Sequence, residues 1–591
     1  MVAPAIPGPA ACYPPGVALW VSFGLLAVAA LVQASPLREP WQALFGLPAV
    51  FLAPGLGWAR GLGRRAGMAD LLRVGFDAFW LSLPAAMVGC ALARVAGGGA
   101  WTLLAVAAAS SVGGGLWERR SLAPMRSWLP SRAEQIGALA ATLMIAVWFA
   151  RSAVDIARPM DRYWFVDEPG ERLQGVGMFP EGMTVVGARE WAPTGADATL
   201  TGEVTLLALR APVGACVEID DRPLCVEANP IEVAEEGPVW RYLDRGIATT
   251  YLSSAKHRPP LRLRFSNPQE STIYLLEDPE QIWELHDAGV LYQAHYYQLL
   301  NIVEQLRWAK ERWVTDVQPP LWTWVLGPAL LLTGGELPTA NVLFTGVLAL
   351  TAVAGLLFLR QHAPNAPAAA WLLPGLAAVV TGKLLLVPGS ADMPDALYAV
   401  AIVAGLSGRA VPFGLAAQLL RYPGFVVVLL GTLITRAWRE AARLTLAVVV
   451  VAGAFGLGGF LTGDLDAWLA TVAWESGPEH WHGETDVSVL LGRVPAFYAL
   501  WFVYSGGTLL LAAIRWPPGT RVALGTALSY SLLLCTIDHT PTHYFVPLLQ
   551  LSALATACTA DSFRSTAARR GLAGLAVGGL LIFWLQGVIL A

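Results

Sequence analysis

The chain has 591 residues, of which 55% are hydrophobic and only 14% are charged, and its formal net charge is −4. Soluble domains carry about 25% charged residues, so this composition excludes an ordinary soluble protein and indicates an integral membrane protein. The mean hydropathy of +0.53 agrees with that interpretation. The slightly acidic balance argues against a nucleic-acid partner, and membrane lipids are the expected surroundings.

Arginine-rich loops predict the orientation of the first part of the chain. Loops 60–73 and 118–132 carry four arginines each, which predicts that both are cytoplasmic. The N-terminus is then cytoplasmic as well, and residues 153–317 are extracytoplasmic. We read no cleavable signal, because residues 1–15 have no basic start. The apolar runs long enough to cross the membrane lie near 16–34, 40–58 (with a proline–glycine kink at 51–57), 72–96, 100–117 and 136–152.

Two acidic residues follow the fifth span. Asp167 and Glu168 follow the aromatic residues 163–165 after one valine, and such aromatic residues are typical of a membrane interface. A carboxylate held there is able to take a proton from an acceptor hydroxyl during glycosyl transfer. The alternative is a pair of solvated loop acids.

Residues 172–280 differ from the rest of the chain. Charged residues become frequent, and alternating apolar residues predict strands at 202–209, 215–219, 246–252, 261–265 and 271–276. We predict a β-sandwich-like insertion. Cys216 and Cys225 bracket a turn, which predicts a hairpin disulfide in an oxidising compartment.

The segment 281–335 leads back to the membrane. Residues 281–314 are rich in aromatic and charged residues and predict helices lying in the headgroup layer. Asp316 then precedes Gln318-Pro319-Pro320-Leu321, where the prolines favour a helix start. The stretch 322–332 is short and contains a proline, so we expect a re-entrant or interfacial helix.

Residues 336–591 contain further spans, and about 13–15 are expected in the whole chain. Arg421 lies in a break of the run 411–435, which predicts two short helices meeting near the outer face. A cation at that depth is expected to be paired, to face a cavity or to extend to the interface, and facing a cavity it would stabilise a phosphate. The spans are expected near 338–359, 366–386, 393–408, 443–462, 495–514, 519–536, 543–560 and 571–590.

Other polar residues are predicted on the outer side. Asp395 begins an apolar helix, where an acid stabilises the helix dipole, and Asp392 is expected to face the site or solvent. His543 and Tyr544 are expected to contact a phosphate or sugar, or to anchor the interface. A divalent-metal site at His480, His482 and Glu484 is one interpretation of the loop 463–494; an exposed substrate-recognition loop is the commoner one.

These motifs together resemble the GT-C superfamily of membrane glycosyltransferases, especially the protein O-mannosyltransferase and aminoarabinose-transferase-like branch. Asp167-Glu168 is similar to the family's acidic motif, and residues 316–321 are similar to its Asp-Val-His-Pro-Pro-Leu motif. Residues 391–397, 414–424 and 543–547 resemble three later elements. The resemblance covers about 136–560. In this chain Gln318 stands in place of the usual histidine and His543 in place of the usual arginine.

The resemblance implies sugar transfer from a polyprenyl-phosphate donor to an extracytoplasmic protein, lipid or glycan acceptor, in a bacterial inner or plasma membrane. Asp167 would be the general base of an inverting reaction, with Glu168 its alternate. No cofactor is certain, and a divalent metal is left open. Arg421, His543 and Lys383 would bind the donor phosphate, and the residues positioning the substrate would be Asp316, Gln318, Asp392, Tyr422 and Tyr544.

Two other functions stay open at this point. A non-catalytic assembly protein with a GT-C-like core would bind a glycan or protein through its β-rich insertion. A transporter or lipid flippase is the third hypothesis, although such proteins usually place their polar residues near the bilayer midplane. We divide the chain into 1–135 (N-terminal membrane helices), 136–171 (first core helix and acidic motif), 172–280 (insertion), 281–335 (juxtamembrane helices and Pro-Pro motif) and 336–591 (transmembrane core).

Overall fold

A computed structural model gives the structure of this protein. It describes residues 17–35, 41–65, 71–96, 99–120, 131–156, 189–191, 195–200, 206–212, 215–219, 222–225, 247–253, 261–276, 320–333, 337–384, 393–421, 424–462, 465, 469, 487–535 and 544–589. The chain divides into two compact units. Unit 1 comprises Met1–Ala153 and Gln305–Ala591, and unit 2 comprises Val154–Glu304.

Unit 1 is helical, and its described residues contain eight helical segments long and apolar enough to cross a membrane, one of which, Trp41–Gly63, comprises two consecutive helices. The protein is therefore a helical integral membrane protein. The N-terminal helices are α1 (Val17–Ala34), α2 (Trp41–Phe51), α3 (Ala53–Arg65), α4 (Leu71–Ala96), α5 (Gly99–Arg120) and α6 (Arg132–Ile156). After unit 2 come α7 (Pro320–Thr333), α8 (Leu337–His362), a 3₁₀ turn (Ala368–Leu372), α9 (Leu373–Leu384), α10 (Met393–Leu406), α11 (Ala410–Gln418), α12 (Gly424–Ile434), α13 (Trp438–Thr462), α14 (Val487–Tyr504), α15 (Thr508–Ala513), α16 (Pro518–Leu534), α17 (Phe545–Asp561) and α18 (Thr566–Ile589).

The predicted kink in the second span is present. Helix α2 ends at Phe51 and α3 begins at Ala53, so the chain bends at the proline–glycine segment. Glycines allow the kinked segment to approach its neighbours closely: a Cβ atom on Gly55 would lie 2.8 Å from the carbonyl carbon of Ala78 on α4. The second predicted span is therefore two helices, tightly packed against α4.

The run 411–435 forms the two short helices that its broken pattern predicts. Helices α11 and α12 have 9 and 11 residues, far fewer than the roughly 20 needed to cross a bilayer. Both pack against α10. That the two helices meet near the outer face stays a prediction.

The prediction of one span over 495–514 is wrong. The chain is broken between α14 and α15 by Gly506 (φ 56°) and Gly507 (φ 77°), whose left-handed backbone few other residues adopt. The break is packed against α18: a Cβ atom on Gly506 would lie 2.6 Å from the carbonyl carbon of Gly579. Side chains bond to the interrupted backbone, as Thr508 Oγ1 donates to the Ser505 carbonyl at 2.9 Å.

Several arginine-bearing loops meet at one end of unit 1, which we call the arginine end. Arg60 forms an ion pair with Glu118 at 3.0 Å, and Arg360 forms one with Glu134. Arg409 binds Asp77 through both guanidinium nitrogens, with Nη2 at 2.9 Å from Oδ2. These contacts join the ends of α3, α5 and α8, the starts of α4 and α6, and the α10–α11 loop, so the loops that the sequence assigned to one side do lie together.

Unit 2 contains two four-stranded antiparallel sheets in its described residues. The strands are β1 (Arg189–Trp191), β2 (Asp197–Leu200), β3 (Leu206–Pro212), β4 (Cys216–Ile219), β5 (Arg222–Cys225), β6 (Ile247–Ser253), β7 (Leu261–Phe265) and β8 (Thr272–Leu276). Their orders are β1-β8-β3-β6 and β2-β7-β4-β5. On β7 Leu263 and Phe265 are buried whereas Arg262 and Arg264 are exposed, so this strand has one apolar and one polar face.

Helix α7 follows the Pro-Pro motif and is short, as predicted. It has 14 residues, about 21 Å, and it packs against α2 and α4 with Trp322 only 1% exposed. It is thus a buried helix that is too short to cross a bilayer. The predicted interfacial helices at 281–314 lie outside the described residues.

Candidate functional site

The residues singled out in the sequence converge best around Arg421, which follows α11. Its Nε donates to Oδ1 of Asp395 at 2.9 Å, and its Nη2 donates to Oδ2 at 2.8 Å. Such a two-bond fork fixes the plane and direction of the guanidinium group. Asp395 is only 2% exposed and the Arg421 side chain 22%, so the carboxylate lies behind the arginine.

The local turn that presents Arg421 depends on a glycine. The N–H of Gly424, the first residue of α12, donates to the Arg421 carbonyl at 2.6 Å and closes the turn. A Cβ atom on Gly424 would lie 2.6 Å from the carbonyl carbon of Ala417 and 2.8 Å from Cε2 of Tyr398. No larger residue fits there without moving α11 or the tyrosine ring.

Two tyrosine rings lie beside the ion pair. Tyr398 is one turn after Asp395 on α10, and its ring meets the Tyr530 ring of α16 edge-on, with centroids 6.1 Å apart. Tyr530 also interacts electrostatically with Asp395, Arg421 and Tyr544, the residue that precedes α17. One cluster therefore joins α10, the α11–α12 turn, α16 and the start of α17.

The Pro-Pro motif reaches the same cluster through its backbone. The N–H of Leu321 donates to the carbonyl of Leu419 at 2.9 Å, two residues before Arg421. The first N–H groups of a helix have no partner within it, so this bond satisfies one of them on α7. The start of α7 and the residues that follow α11, which are far apart in sequence, are thereby held against each other.

The role of Asp395 differs from the one read from the sequence. It does lie in the first turn of α10, where a carboxylate stabilises the helix dipole. Its principal contact, however, is Arg421. The sequence interpretation left Arg421 paired, facing a cavity or extending to the interface, and it did not identify the carboxylate partner 26 residues away.

Sequence reasoning also missed a second arginine, which lies near the Arg421 cluster. Arg493 is on α14, one turn before Phe497, whose ring stacks on Phe545 with centroids 4.9 Å apart. Phe545 is the first residue of α17 and follows Tyr544 in the chain. An arginine among the apolar residues 487–504 is the signal that would have identified it, because a charge at such depth is costly without a role.

Most of the other candidate residues lie outside the described residues. Lys383 falls in the last turn of α9, but its side chain is not among those described. His543 directly precedes Tyr544, and Tyr422 directly follows Arg421 in the chain. The candidates outside the described residues are Asp167, Glu168, Asp316, Gln318, Asp392, Tyr422, His480, His482, Glu484 and His543.

In unit 2, Cys216 is disulfide-bonded and lies directly opposite Cys225 in the β4–β5 ladder. The backbone of Cys216 faces away from β5: its N–H donates to Ser266 Oγ at 2.7 Å and its carbonyl accepts from Ser266 N at 2.8 Å. Cys216 and Cys225 are therefore a non-hydrogen-bonded pair, whose Cα atoms come within about 4.5 Å. That separation suits a disulfide, so the ladder supports Cys225 as the partner.

Among the described residues, no group of three or more histidine, cysteine, aspartate or glutamate side chains is arranged to hold a metal ion. The predicted metal ligands at 480–484 lie outside this set. In comparisons with known proteins, no family model, curated protein or solved structure matches this chain. Functional inference therefore depends on the Arg421 cluster and on the sequence motifs around it.

Proposed function

We propose that the protein is a membrane glycosyltransferase of the GT-C type, which moves a sugar from a polyprenyl-phosphate donor to an acceptor outside the cell. The observation that carries this proposal is the hydrogen bond between Leu321 and Leu419. It joins the Pro-Pro motif to the Arg421 segment, two of the motifs on which the resemblance depends. A donor phosphate and an acceptor need such motifs on one surface.

Arg421 is the proposed ligand of the donor phosphate. A guanidinium group has five N–H donors, and the fork to Asp395 uses two of them. The ion pair is neutral overall, so an anion is attracted by the directed N–H groups more than by net charge. Asp395 is thus a positioning residue that keeps Arg421 in one orientation.

The proposed reaction is a single displacement. Asp167, with Glu168 as its alternate, accepts the proton of the acceptor hydroxyl, and the oxygen attacks the anomeric carbon as the bond to the phosphate oxygen breaks. The lipid phosphate leaves with the electron pair, and the anomeric configuration inverts. His543 and Lys383 assist Arg421, while Gln318, Asp316, Asp392, Tyr422 and Tyr544 position the substrates.

The finer architecture belongs to the same proposal. We place the arginine end on the cytoplasmic side of a bacterial inner or plasma membrane and residues 153–317 outside, within a GT-C-like fold of about 13–15 spans. We also propose that the two sheets of unit 2 pack as a sandwich. The burial of Leu263 and Phe265, at 2% and 3% exposure, supports a second layer over the apolar face of β7.

The test is donor turnover by the purified full-length protein. A panel of polyprenyl-phosphate sugars is supplied with acceptor lysate, with and without chelator, and released lipid phosphate is measured by mass spectrometry. We expect release by the wild type and a loss of at least about 10²-fold in Asp167→Ala or Glu168→Ala. If both variants released as much lipid phosphate as the wild type, at equal amounts of folded protein, the proposed base would be refuted.

A second candidate function is glycan or protein docking without turnover. The observation in its favour is the exposed ionic group of unit 2, where Arg264 binds Asp197 at 3.1 Å and Glu218 at 3.2 Å. A polar, ordered sheet face suits recognition of a polar partner. Capture of a defined glycan by the full-length protein, with no release from any donor, would favour this function; measurable transfer would exclude it.

A further inference from the structure

Two neighbouring loops at the arginine end carry an excess of positive charge. They are the α15–α16 loop and the α17–α18 loop, and the second is joined to that end by a hydrogen bond of 3.4 Å from Arg569 Nη1 to the Asn365 carbonyl. Residues 513–521 and 561–571 contain five arginines and one acid. We name these arginines the cationic surface, which comprises Arg515, Arg521, Arg564, Arg569 and Arg570.

Direct contacts hold the two loops against each other. Arg515 Nη1 donates to the Ser562 carbonyl at 3.1 Å, and the Arg515 guanidinium carbon lies 4.8 Å from the centre of the Phe563 ring. At the end of α17, Thr559 Oγ1 donates to the Arg515 carbonyl at 3.1 Å. Arg569 Nε donates to the Phe563 carbonyl. Arg515 and Arg569 are therefore anchored on the same turn, and the positive charge belongs to one folded surface.

The charge of this surface is poorly balanced within the protein. Asp561 lies 3.9 Å from Arg569, and no carboxylate of the described residues forms an ion pair with the other four arginines. Elsewhere at the arginine end, Arg60, Arg360 and Arg409 each form an ion pair with a carboxylate on another helix. The cationic surface thus has most of its charge available for an external anion.

Three of these arginines lie at helix starts, where a cation is disfavoured. Arg521 is the fourth residue of α16, and Arg569 and Arg570 are the fourth and fifth of α18. The N-terminal end of a helix carries a partial positive charge, which repels cations and stabilises anions. The exposed Arg119 and Arg120 lie instead in the last turn of α5, where the dipole stabilises them. The helix dipole therefore explains that pair but adds to the need for an anion at the cationic surface.

Exposed apolar side chains adjoin the cationic surface. Leu510 and Ile514 are one helical turn apart and are 61% and 56% exposed, and Trp516 follows at 46%. An anionic phospholipid matches both features, because its phosphate binds guanidinium groups while its acyl chains cover apolar side chains. A free anion would leave the apolar side chains uncovered.

We propose that the cationic surface binds the headgroup of an anionic phospholipid, whose acyl chains lie against Leu510 and Ile514. The site is separate from the Arg421 cluster. Tyr544 of that cluster precedes α17 and Ser562 follows it, so the 17 residues of this helix, about 25 Å, lie between the two. The inference is therefore independent of the proposed transferase function.

The chain offers two matched double variants. Arg564→Gln/Arg570→Gln removes two exposed charges of the cationic surface and leaves Arg515 and Arg569, which anchor the loops, in place. Arg119→Gln/Arg120→Gln removes two exposed charges from the end of α5. The two variants thus have the same net charge, and only the first changes the proposed lipid site.

The experiment titrates the full-length protein in detergent micelles with phosphatidylglycerol, phosphatidylcholine or inorganic phosphate. Bound lipid is counted by native mass spectrometry, and the midpoint of thermal unfolding is measured in parallel. We expect only phosphatidylglycerol to bind saturably and to raise the midpoint. Its apparent affinity should fall about tenfold in Arg564→Gln/Arg570→Gln and stay within about twofold of wild type in Arg119→Gln/Arg120→Gln.

The lipid-free midpoint distinguishes lipid binding from a structural role. It should stay level or rise in Arg564→Gln/Arg570→Gln, because two like charges near a helix start are removed. A clear fall would assign these arginines a structural role and overturn the proposal. Equal losses of phosphatidylglycerol binding in the two double variants, equal binding of phosphatidylcholine, or an equal rise of the midpoint with inorganic phosphate would overturn it as well.

Discussion

Arg421, in the break between the short helices α11 and α12, donates two hydrogen bonds to Asp395 of α10, at 2.9 and 2.8 Å. A second arginine–aspartate fork, Arg409 with Asp77, lies at the arginine end of the same unit. Helix α10 and the short helix α11 separate the two forks. The molecule thus contains two similar ion pairs, of which only one lies beside the motifs that carry the functional proposal.

The Arg421–Asp395 pair is expected to be strongly coupled. Arg421→Gln leaves a carboxylate that is 2% exposed without its cation, so we expect a loss of about 3–5 kcal/mol in the free energy of unfolding. Asp395→Asn should cost a similar amount, and the double variant should cost at least about 2 kcal/mol less than the sum. Unfolding titrations in mixed micelles measure all three. Additive losses would show that the two side chains do not act as a pair.

The break between α14 and α15 predicts different effects at two adjacent glycines of α18. A Cβ atom on Gly579 would meet the Gly506 backbone, whereas one on Gly578 has nothing within 4 Å. We expect Gly579→Ala to destabilise the protein by about 1–3 kcal/mol through overpacking. Gly578→Ala should be neutral or slightly stabilising, because alanine favours a helix. Equal unfolding midpoints for the two variants would contradict the packing described for this break.

The disulfide of unit 2 is expected to join neighbouring strands. Digestion without reductant should release one cross-linked peptide pair containing Cys216 and Cys225. Removing the bond with Cys216→Ser should lower the stability of unit 2 by about 2–3 kcal/mol, the value for a short closed loop. Alkylation after unfolding without reductant should label Cys90, Cys535 and Cys558, which are free. Labelling of Cys225 under those conditions would show that the pairing is wrong.

The proposed orientation predicts which engineered cysteines an impermeant maleimide reaches. Thr199 on β2 and Asn365 between α8 and the 3₁₀ turn are both exposed, and Asn365 lies at the arginine end. In intact cells we expect Thr199→Cys to be labelled at once and Asn365→Cys only after permeabilisation, with the parent protein as background. Labelling of Asn365→Cys in intact cells, with Thr199→Cys labelled only after permeabilisation, would show that the proposed orientation is inverted.

Local patterns in the sequence predicted much of the architecture. Arginine in short loops identified the end at which Arg60, Arg360 and Arg409 meet, because the cost of moving arginine across the membrane acts on each loop separately. The alternation of apolar and charged residues over 261–265 predicted β7, because every second residue is apolar in a strand with one buried face. The Arg421–Gly424 break predicted two short helices for an equally local reason, the loss of helical pattern at proline and glycine.

Relationships between distant residues were not predictable in this way. The sequence predicted only that Asp395 stabilises the helix dipole, because no residue near it in the sequence indicates that Arg421 is its partner. The continuous span 495–514 was wrong because Gly506 and Gly507 are tolerated inside an apolar run. Their left-handed backbone lies where Gly579 of α18 approaches Gly506, a contact between residues far apart in sequence.

The most direct test compares the two arginine forks in donor turnover. Arg421→Gln and Arg409→Gln are purified at equal folded amounts and assayed for lipid-phosphate release with a donor that the wild type uses. We expect Arg421→Gln to lower kcat/KM by at least about 10²-fold, because it removes a directed donor to the leaving phosphate. Arg409→Gln should stay within about threefold of wild type, because its fork lies at the other end of α10. Similar losses in both variants, or full activity in Arg421→Gln, would contradict the assignment of the reaction to the Arg421 cluster.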